Sequence, residues 1–231
     1  MGIRRSAIVL AAGLSAAVLW VAHPGGSPAQ AQNPGGGECQ LQGVANISPP
    51  LSTTSGSFAY NFTGALSSCQ SNVAGAPTTG TVSAGVQLPE TVTLTNISTG
   101  GTTTGTVLYQ EPIPQGSGSC GNSTTAGEAL AAWGDGKNTV VDYDTTGALA
   151  AVQLQGTVGA SMTLTLVASS VPASCTAPAS YTISSDEPTF AAGGGALALL
   201  TFSPTTQDQN CVTMGVSSAN ISGNVGIGSA Q

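Results

Sequence analysis

The sequence predicts an all-β fold: an antiparallel β-sandwich with Greek-key-like connections, stabilised by disulfides and containing little helix. Short segments in which apolar residues alternate with threonine recur along the chain, and clusters of Gly, Pro, Asn and Ser separate them. Threonine is β-branched and suits the solvent-facing side of a strand. Because helical patterns are scarce, the many short strands with turns between them are typical of a sandwich or a barrel.

The first 31 residues predict a signal peptide. Arg4 and Arg5 form a positive beginning, residues 6–22 are apolar and uncharged, and Ala29-Gln-Ala31 has the small-x-small form of a cleavage site. A membrane anchor is the alternative, but the apolar run is at the short limit for a helix that crosses a bilayer. We therefore expect cleavage after residue 31 and a secreted or cell-envelope protein without a membrane span.

Two segments are expected in the exported chain. Residues 32–38 are rich in Gly and Pro and predict a flexible leader, and residues 39–231 predict a single β-sandwich domain. Residues 60–66 and 143–149 share the pattern Tyr-x-x-Thr-Gly-Ala-Leu, which suggests two similar halves. Chance repeats are common in a chain so rich in Thr, Gly and Ala, so a duplication and a coincidence both stay open.

Loss of the signal peptide would remove side chains that commonly carry chemistry. It contains the single histidine, His23, and both arginines, so ten acidic residues and one lysine, Lys137, give the exported chain a formal charge of −9. This charge excludes ordinary nucleic-acid binding, which depends on Lys and Arg at the phosphates, and argues against anionic membranes. A Ser-His-Asp mechanism is excluded because its base is missing.

All five cysteines lie in the exported part, where an oxidising environment favours disulfides. We predict bridges Cys39–Cys69 and Cys175–Cys211, each of which joins neighbouring segments. Cys120, in a flexible Gly/Ser stretch, is then the odd cysteine. Spacing does not determine the connectivity, and Cys69–Cys120 is an alternative pair. The spacings do not resemble a zinc site.

Strand patterns can be followed along the whole chain. The clearest is residues 58–62, where Phe58, Tyr60 and Phe62 share one face and predict core positions. Residues 126–133 and 191–200 have helix-friendly compositions but are short, and 126–133 fits a strand equally well. The remaining predicted strands are 40–47, 80–88, 91–97, 104–111, 139–143, 150–158, 162–167, 179–184, 196–202 and 212–217.

Three carboxylates are candidate metal ligands. Asp135, Asp142 and Asp144 lie within ten residues, and the last two share one face of a strand because alternate residues point the same way. Oxygen-rich clusters suit Ca²⁺, which is the only cofactor that we consider. The alternative is a solvated rim of acidic side chains, and no catalytic or cofactor-binding residue is assigned.

Several motifs resemble secreted β-rich proteins of high-GC Gram-positive bacteria, of the actinobacterial type. The resemblance covers residues 39–167 and rests on Cys39-x-Leu-x-Gly-x-Ala-x-Ile-Ser-Pro-Pro-Leu51, Phe58-x-Tyr-x-Phe-Thr-Gly-x-Leu-x-x-Cys69, Thr79-Gly-Thr-Val, and Trp133-Gly-Asp-Gly-Lys followed by a Gly-Thr-Val strand. It implies export and a β-sandwich. It implies no activity, and no functional residue is transferred from it.

These observations favour a non-catalytic extracellular or cell-envelope protein that binds a protein or a glycan or has a structural role. The first alternative is an enzyme that uses carboxylates, with Ca²⁺ assisting, on extracellular polysaccharide. The second is a small-ligand or inhibitor module with its site in loops such as 112–125. A cleft lined by the three aspartates, with Trp133 at its edge, would favour the enzyme.

Overall fold

The computed structural model describes residues 35–148 and 150–228, where the chain forms fourteen strands and two 3-10 helices. The predicted signal peptide lies outside the described residues. The helices are Ala168–Ser170 and Pro188–Phe190. The strands are β1 (Gly37–Leu51), β2 (Gly56–Ser71), β3 (Gly80–Ala84), β4 (Gln87–Asn96), β5 (Thr102–Gln110), β6 (Gln115–Gly118), β7 (Ser123–Trp133), β8 (Asn138–Ala148), β9 (Ala151–Gly159), β10 (Ser161–Leu166), β11 (Cys175–Thr176), β12 (Ser180–Ser184), β13 (Gly195–Pro204) and β14 (Val216–Ile227).

The larger of two sheets closes into an eight-stranded antiparallel barrel. Its order is β1, β14, β13, β9, β8, β7, β3 and β2, and β1 also pairs with β2, so that neither edge stays open. The sequence predicted a sandwich, and this finer prediction was wrong. Alternation of apolar and polar residues shows which face of a strand is buried, but it is the same for a closed sheet and for two stacked sheets.

One position in the barrel wall is shared by two strands. β3 and β6 lie end to end between β2 and β7: β3 pairs with residues 62–66 of β2, and β6 pairs with residues 56–59. The chain leaves the wall after β3, forms the β4–β5 hairpin and returns at β6. This excursion contributes two strands to the second sheet, whose order is β11, β4, β5, β10 and β12.

The second sheet covers part of the outside of the barrel. Leu130 of β7 and Val140 of β8 point outward and are buried in one apolar cluster with Val107, Tyr109 and other residues of the second sheet. The neighbouring residues Ala131 and Val141 are also buried but point inward. At these positions β7 and β8 are thus covered on both faces, which explains their consecutive apolar residues.

The strand predictions were largely confirmed. Residues 126–133 belong to a strand, β7, and residues 196–202 belong to β13. Phe58 and Phe62 are buried, while Tyr60 on the same face is half-buried. Residues 212–215 form a turn before β14. Residues 37 and 38, which the sequence assigned to a flexible leader, belong to β1, which begins at Gly37 and pairs there with both β2 and β14.

Two disulfides lie at opposite ends of the barrel. Cys39–Cys69 links β1 to β2 as predicted, whereas Cys120 is bonded to Cys211, and Cys175 is the free cysteine. The predicted pair Cys175–Cys211 and the assignment of Cys120 as the odd cysteine were wrong. Spacing along the chain does not show that barrel closure brings the loop after β6 next to the loop before β14.

The two ends of the barrel differ. At the base, where β7 ends and β8 begins, the Trp133 ring stacks on the Phe190 ring with centroids 4.6 Å apart, and Trp133 Nε1 donates to Thr139 Oγ1 over 2.8 Å. At the opposite end, the mouth, the Cys120–Cys211 bridge ties two loops together, and Cys120 N and Thr53 N donate to Ser52 O and Cys211 O, respectively. In the described part of the chain, no helix is long and apolar enough to cross a membrane.

Candidate ligand-binding site

Small side chains line one wall of the barrel interior. Successive inward positions of β7 are Ser123, Thr125, Gly127, Ala129 and Ala131, which alternate with outward positions as the pleat requires. An eight-stranded barrel has an interior just wide enough to be filled by side chains or to hold one small ligand. A strand with such short inward side chains leaves space that the opposite wall does not fill.

The space is an apolar cavity of about 160 Å³. Most of its lining is aliphatic or aromatic, and no charged side chain of the part of the chain that the structure describes contributes to it. The lining reaches Leu51, Ser123 and Gly147 at the mouth, but it excludes Trp133 and Phe190 at the base. The cavity therefore runs along the barrel from Leu51 at the mouth to Ile227 near the base, and the stacked rings lie beyond its lining.

Four hydroxyl groups of the lining form one hydrogen-bonded chain. Tyr143 Oη lies 2.6 Å from Tyr60 Oη, which lies 3.1 Å from Thr125 Oγ1, which in turn lies 2.8 Å from Thr145 Oγ1. We name these four side chains the hydroxyl chain. A few convergent polar groups in an otherwise apolar pocket are the usual arrangement of a small-molecule site, because they orient a ligand that apolar contacts hold.

Both tyrosines of the hydroxyl chain stay neutral. Burial is the main cause that raises the pKa of Tyr60 above its usual value of 10.0, and the hydrogen bonds that join it to Thr125 and Tyr143 only partly oppose this effect. Burial also raises the pKa of Tyr143, and the neighbouring Tyr60 and Glu111 raise it further. The phenols therefore keep their protons and can donate and accept hydrogen bonds.

Gly127 makes room for the deeper end of the hydroxyl chain. A Cβ atom at this position would lie 2.8 Å from Pro114 Cβ and 3.0 Å from Tyr143 Oη. Both distances are shorter than ordinary van der Waals contacts. The glycine thus allows Pro114, at the interruption between β3 and β6, and the Tyr143 hydroxyl to approach the same strand.

A buried carboxylate closes the interruption in the barrel wall. Glu111 is 1% exposed; its Oε1 accepts from Ser83 Oγ over 2.5 Å and its Oε2 accepts from Val86 N over 3.0 Å. Glu111 N also donates to Val86 O over 2.9 Å. Glu111 therefore joins the two ends of the excursion where β3 and β6 leave the ladder incomplete. Burial raises the pKa of its carboxyl group, and the two hydrogen bonds partly counteract this effect.

The predicted metal ligands do not converge. Asp142 and Asp144 do share one face of β8, but this face is the exposed outside of the barrel. Asp135 lies in the turn after β7, where its Oδ2 accepts from Lys137 Nζ over 2.9 Å. Among residues 35–148 and 150–228, no three His, Cys, Asp or Glu side chains are placed to hold a metal ion.

Lys137 has a structural position at the base. Its Nζ also lies 3.1 Å from Glu187 Oε2, and Glu187 Oε1 accepts from Thr189 N over 2.9 Å. This contact holds the short helix that carries Phe190 against the turn after β7. Of the three aspartates that the sequence suggested as the lining of a cleft beside Trp133, only Asp135 takes part in this closure of the barrel.

The hydroxyl chain was not predicted as a site. The sequence did place Tyr60 on the core face of its strand, and the repeated pattern paired Tyr60 with Tyr143. That repeat was the available signal, since both tyrosines point into the barrel and meet there. Comparison of the chain with protein-family models, with curated proteins and with solved structures found no match.

Proposed function

We propose that this protein is a non-catalytic binding protein that holds a small apolar molecule inside its barrel. The observation that carries the proposal is the apolar cavity of about 160 Å³. Protein interiors are normally packed with few voids larger than a water molecule. A cavity of this size in an eight-stranded barrel, next to a few convergent hydroxyls, is what a small-ligand site requires.

A location outside the cell or in the cell envelope is part of the proposal. The predicted signal peptide, the two disulfides and the resemblance to secreted actinobacterial proteins support it. Disulfides form and persist in oxidising compartments. A binding protein in such a place would capture its ligand from the surroundings of the cell.

A binding role agrees with the chemistry of the lining. The side chains that face the cavity are apolar, apart from the hydroxyl chain and Ser123. The tyrosine hydroxyls stay protonated because burial raises their pKa values. The carboxylates Asp142 and Asp144 lie on the other side of the wall, so they do not face a molecule held in the barrel.

The proposal predicts that a leucine in the wall blocks binding. Ala129 is an inward residue of β7 that lines the cavity, and Ala126 of the same strand is exposed on the outside. Ala129→Leu places additional carbon atoms in the cavity, so we expect its affinity for toluene to fall by more than about tenfold. Isothermal titration calorimetry of the full, disulfide-bonded chain measures the affinity.

The matched control is Ala126→Leu, which adds the same atoms on the outer face and should leave toluene binding unchanged. Thermal unfolding of both variants shows whether each one is folded. Equal toluene affinity in folded Ala129→Leu and in the wild-type protein would place the ligand outside the barrel and overturn the proposal.

A further inference from the structure

The hydroxyl chain has hydrogen-bonding capacity that it does not use internally. Its four groups carry four hydroxyl protons, and three hydrogen bonds join them in a line from Tyr143 through Tyr60 and Thr125 to Thr145. One proton is therefore left for a group outside the line. In the part of the chain that the structure describes, neither end hydroxyl, Tyr143 Oη or Thr145 Oγ1, has a second partner.

The direction of the hydroxyl chain is not fixed by its geometry. In each of the three hydrogen bonds either oxygen can be the donor. If all three bonds run one way, the last hydroxyl offers a free donor and the first one offers free lone pairs. The chain can therefore bind a carbonyl oxygen, which only accepts, or an alcohol, which both accepts and donates.

The surroundings exclude a charged ligand group. Among the described residues, no Lys, Arg or His side chain lines the cavity, so a carboxylate inside it would find no opposite charge there. The buried Glu111 carboxyl raises the pKa of Tyr143, and its negative charge would also repel an anion in the cavity. No acidic side chain of residues 35–148 and 150–228 lines the cavity either, so an ammonium group would also be unpaired. Burial of an unpaired charge is costly, because water no longer solvates it.

The volume limits the ligand to about one ring. A protein cavity of about 150 Å³ lined by Leu, Ile and Phe accommodates benzene, whereas pockets for drug-sized ligands are about 300–1,000 Å³. The cavity in this barrel, at about 160 Å³, belongs to the smaller class. A fatty-acid chain or a fused ring system would exceed it.

We infer that the ligand is an uncharged molecule, about the size of one six-membered ring, with a single alcohol or carbonyl oxygen that binds to the hydroxyl chain. This inference rests on the proposed function and names its ligand class. The ring occupies the apolar part of the cavity, and the oxygen takes the hydrogen-bonding capacity left at an end of the hydroxyl chain.

Three probes of similar size test the inference: toluene, benzyl alcohol and benzoate, titrated by calorimetry at pH 7 into the full, disulfide-bonded chain. The test variant is Tyr143→Phe combined with Thr145→Val, which removes both end hydroxyls with little change in volume. The control variant is Thr146→Val, which removes a hydroxyl from the exposed face of the same strand. Retained toluene binding shows that the cavity of the test variant is intact.

We expect the test variant to lose about tenfold in affinity for benzyl alcohol, since a hydrogen bond to the ligand is lost. Its affinity for toluene should be unchanged, and Thr146→Val should behave like the wild-type protein. Benzoate should bind to none of the proteins.

Two other results separate the inference from the proposed function. If the test variant binds benzyl alcohol and toluene in the same ratio as the wild-type protein does, or if benzoate binds as tightly as benzyl alcohol, the inference is overturned but the binding function stands. If neither toluene nor benzyl alcohol binds to the wild-type protein, both are overturned.

Discussion

At the scale of single residues, Glu111 is the most unusual group in the described chain. It is almost completely buried and accepts two hydrogen bonds, but neither donor is a cation. A buried carboxylate without an opposite charge favours its protonated form, which raises its pKa. Glu111 joins Ser83 and Val86 across the interrupted wall. Because its carboxyl group is buried without a cation, its ionisation near neutral pH lowers the stability of the folded protein.

This cost predicts a pH dependence that a single substitution removes. The pKa of Glu111 lies above 4.5 in the folded protein and near 4.5 in the unfolded chain. Between these two values the folded protein binds more protons, so the free energy of unfolding falls as the pH rises. Glu111→Gln cannot ionise, and its amide can still accept from Val86 N and donate to Ser83 Oγ. We therefore expect the free energy of unfolding of this variant not to show the decrease that Glu111 causes.

Urea unfolding from pH 4 to pH 8 measures the effect as the difference between wild type and Glu111→Gln. The difference is needed because other groups titrate in the same range. Burial and the neighbouring Asp142 raise the pKa of Glu128, which acts in the same direction, while Lys137 lowers the pKa of Asp135, which acts in the opposite one. If the free energies of unfolding of the two proteins changed in parallel with pH, ionisation of Glu111 would have no net effect on stability, contrary to this prediction.

At the scale of elements, the second sheet distinguishes two regions of the outer barrel wall. Leu130 of β7 lies under this sheet and is 5% exposed, whereas Leu199 of β13 also points outward and is 72% exposed. Leu130→Ala should lower the free energy of unfolding by about 2–5 kcal/mol, because it leaves a cavity between barrel and sheet. Chemical denaturation measures this change.

Leu199→Ala is the matched control, a leucine truncated on an uncovered strand. We expect its free energy of unfolding to stay within about 0.5 kcal/mol of the wild-type value. If Leu130→Ala and Leu199→Ala lowered the free energy of unfolding by the same amount, the second sheet would not pack on the barrel as described.

Most strands could be predicted from the sequence, because the alternation of apolar and polar residues is a property of each strand alone. It also contained a sign of the second layer, since Leu130-Ala131 and Val140-Val141 place apolar residues on both faces of adjacent strands. Strand β6 could not be predicted, because Gln115–Gly118 has no apolar residue and is held by pairing with β2 and β7.

At the scale of the whole molecule, the two disulfides close loops of very different length. Cys39 and Cys69 are 30 residues apart, and Cys120 and Cys211 are 91 residues apart. The longer loop loses more conformational entropy in the unfolded chain when it is closed. Loop-closure entropy alone gives about 3–4 kcal/mol for the first bridge and about 4–5 kcal/mol for the second.

We therefore expect Cys120→Ala combined with Cys211→Ala to lower the free energy of unfolding by about 4–5 kcal/mol in chemical denaturation. Cys175→Ala is the control, since this half-buried cysteine is free and its loss should change stability little. A large destabilisation by Cys175→Ala alone, with none from the double variant, would contradict the observed pairing.

The wrong disulfide and the wrong sheet topology have one origin. Closure of the barrel depends on which strands become neighbours, as when β1 pairs with both β14 and β2. These contacts join residues far apart in the chain, and a strand's own pattern contains no information about its partner. The same long-range pairing brings Tyr60 and Tyr143 together, so the candidate site could be found only after the barrel was known.

Because the barrel is closed, the first and last strands of the described chain are neighbours, and this fixes the position of the two chain ends. Gly37 pairs with Ile227, so both ends emerge side by side at the base, away from the Cys120–Cys211 bridge. An affinity tag at the carboxyl end would therefore attach the protein to a sensor surface by its sealed side. The opposite end, which carries the Cys120–Cys211 bridge, would then face the bulk solution, and the support would not cover it.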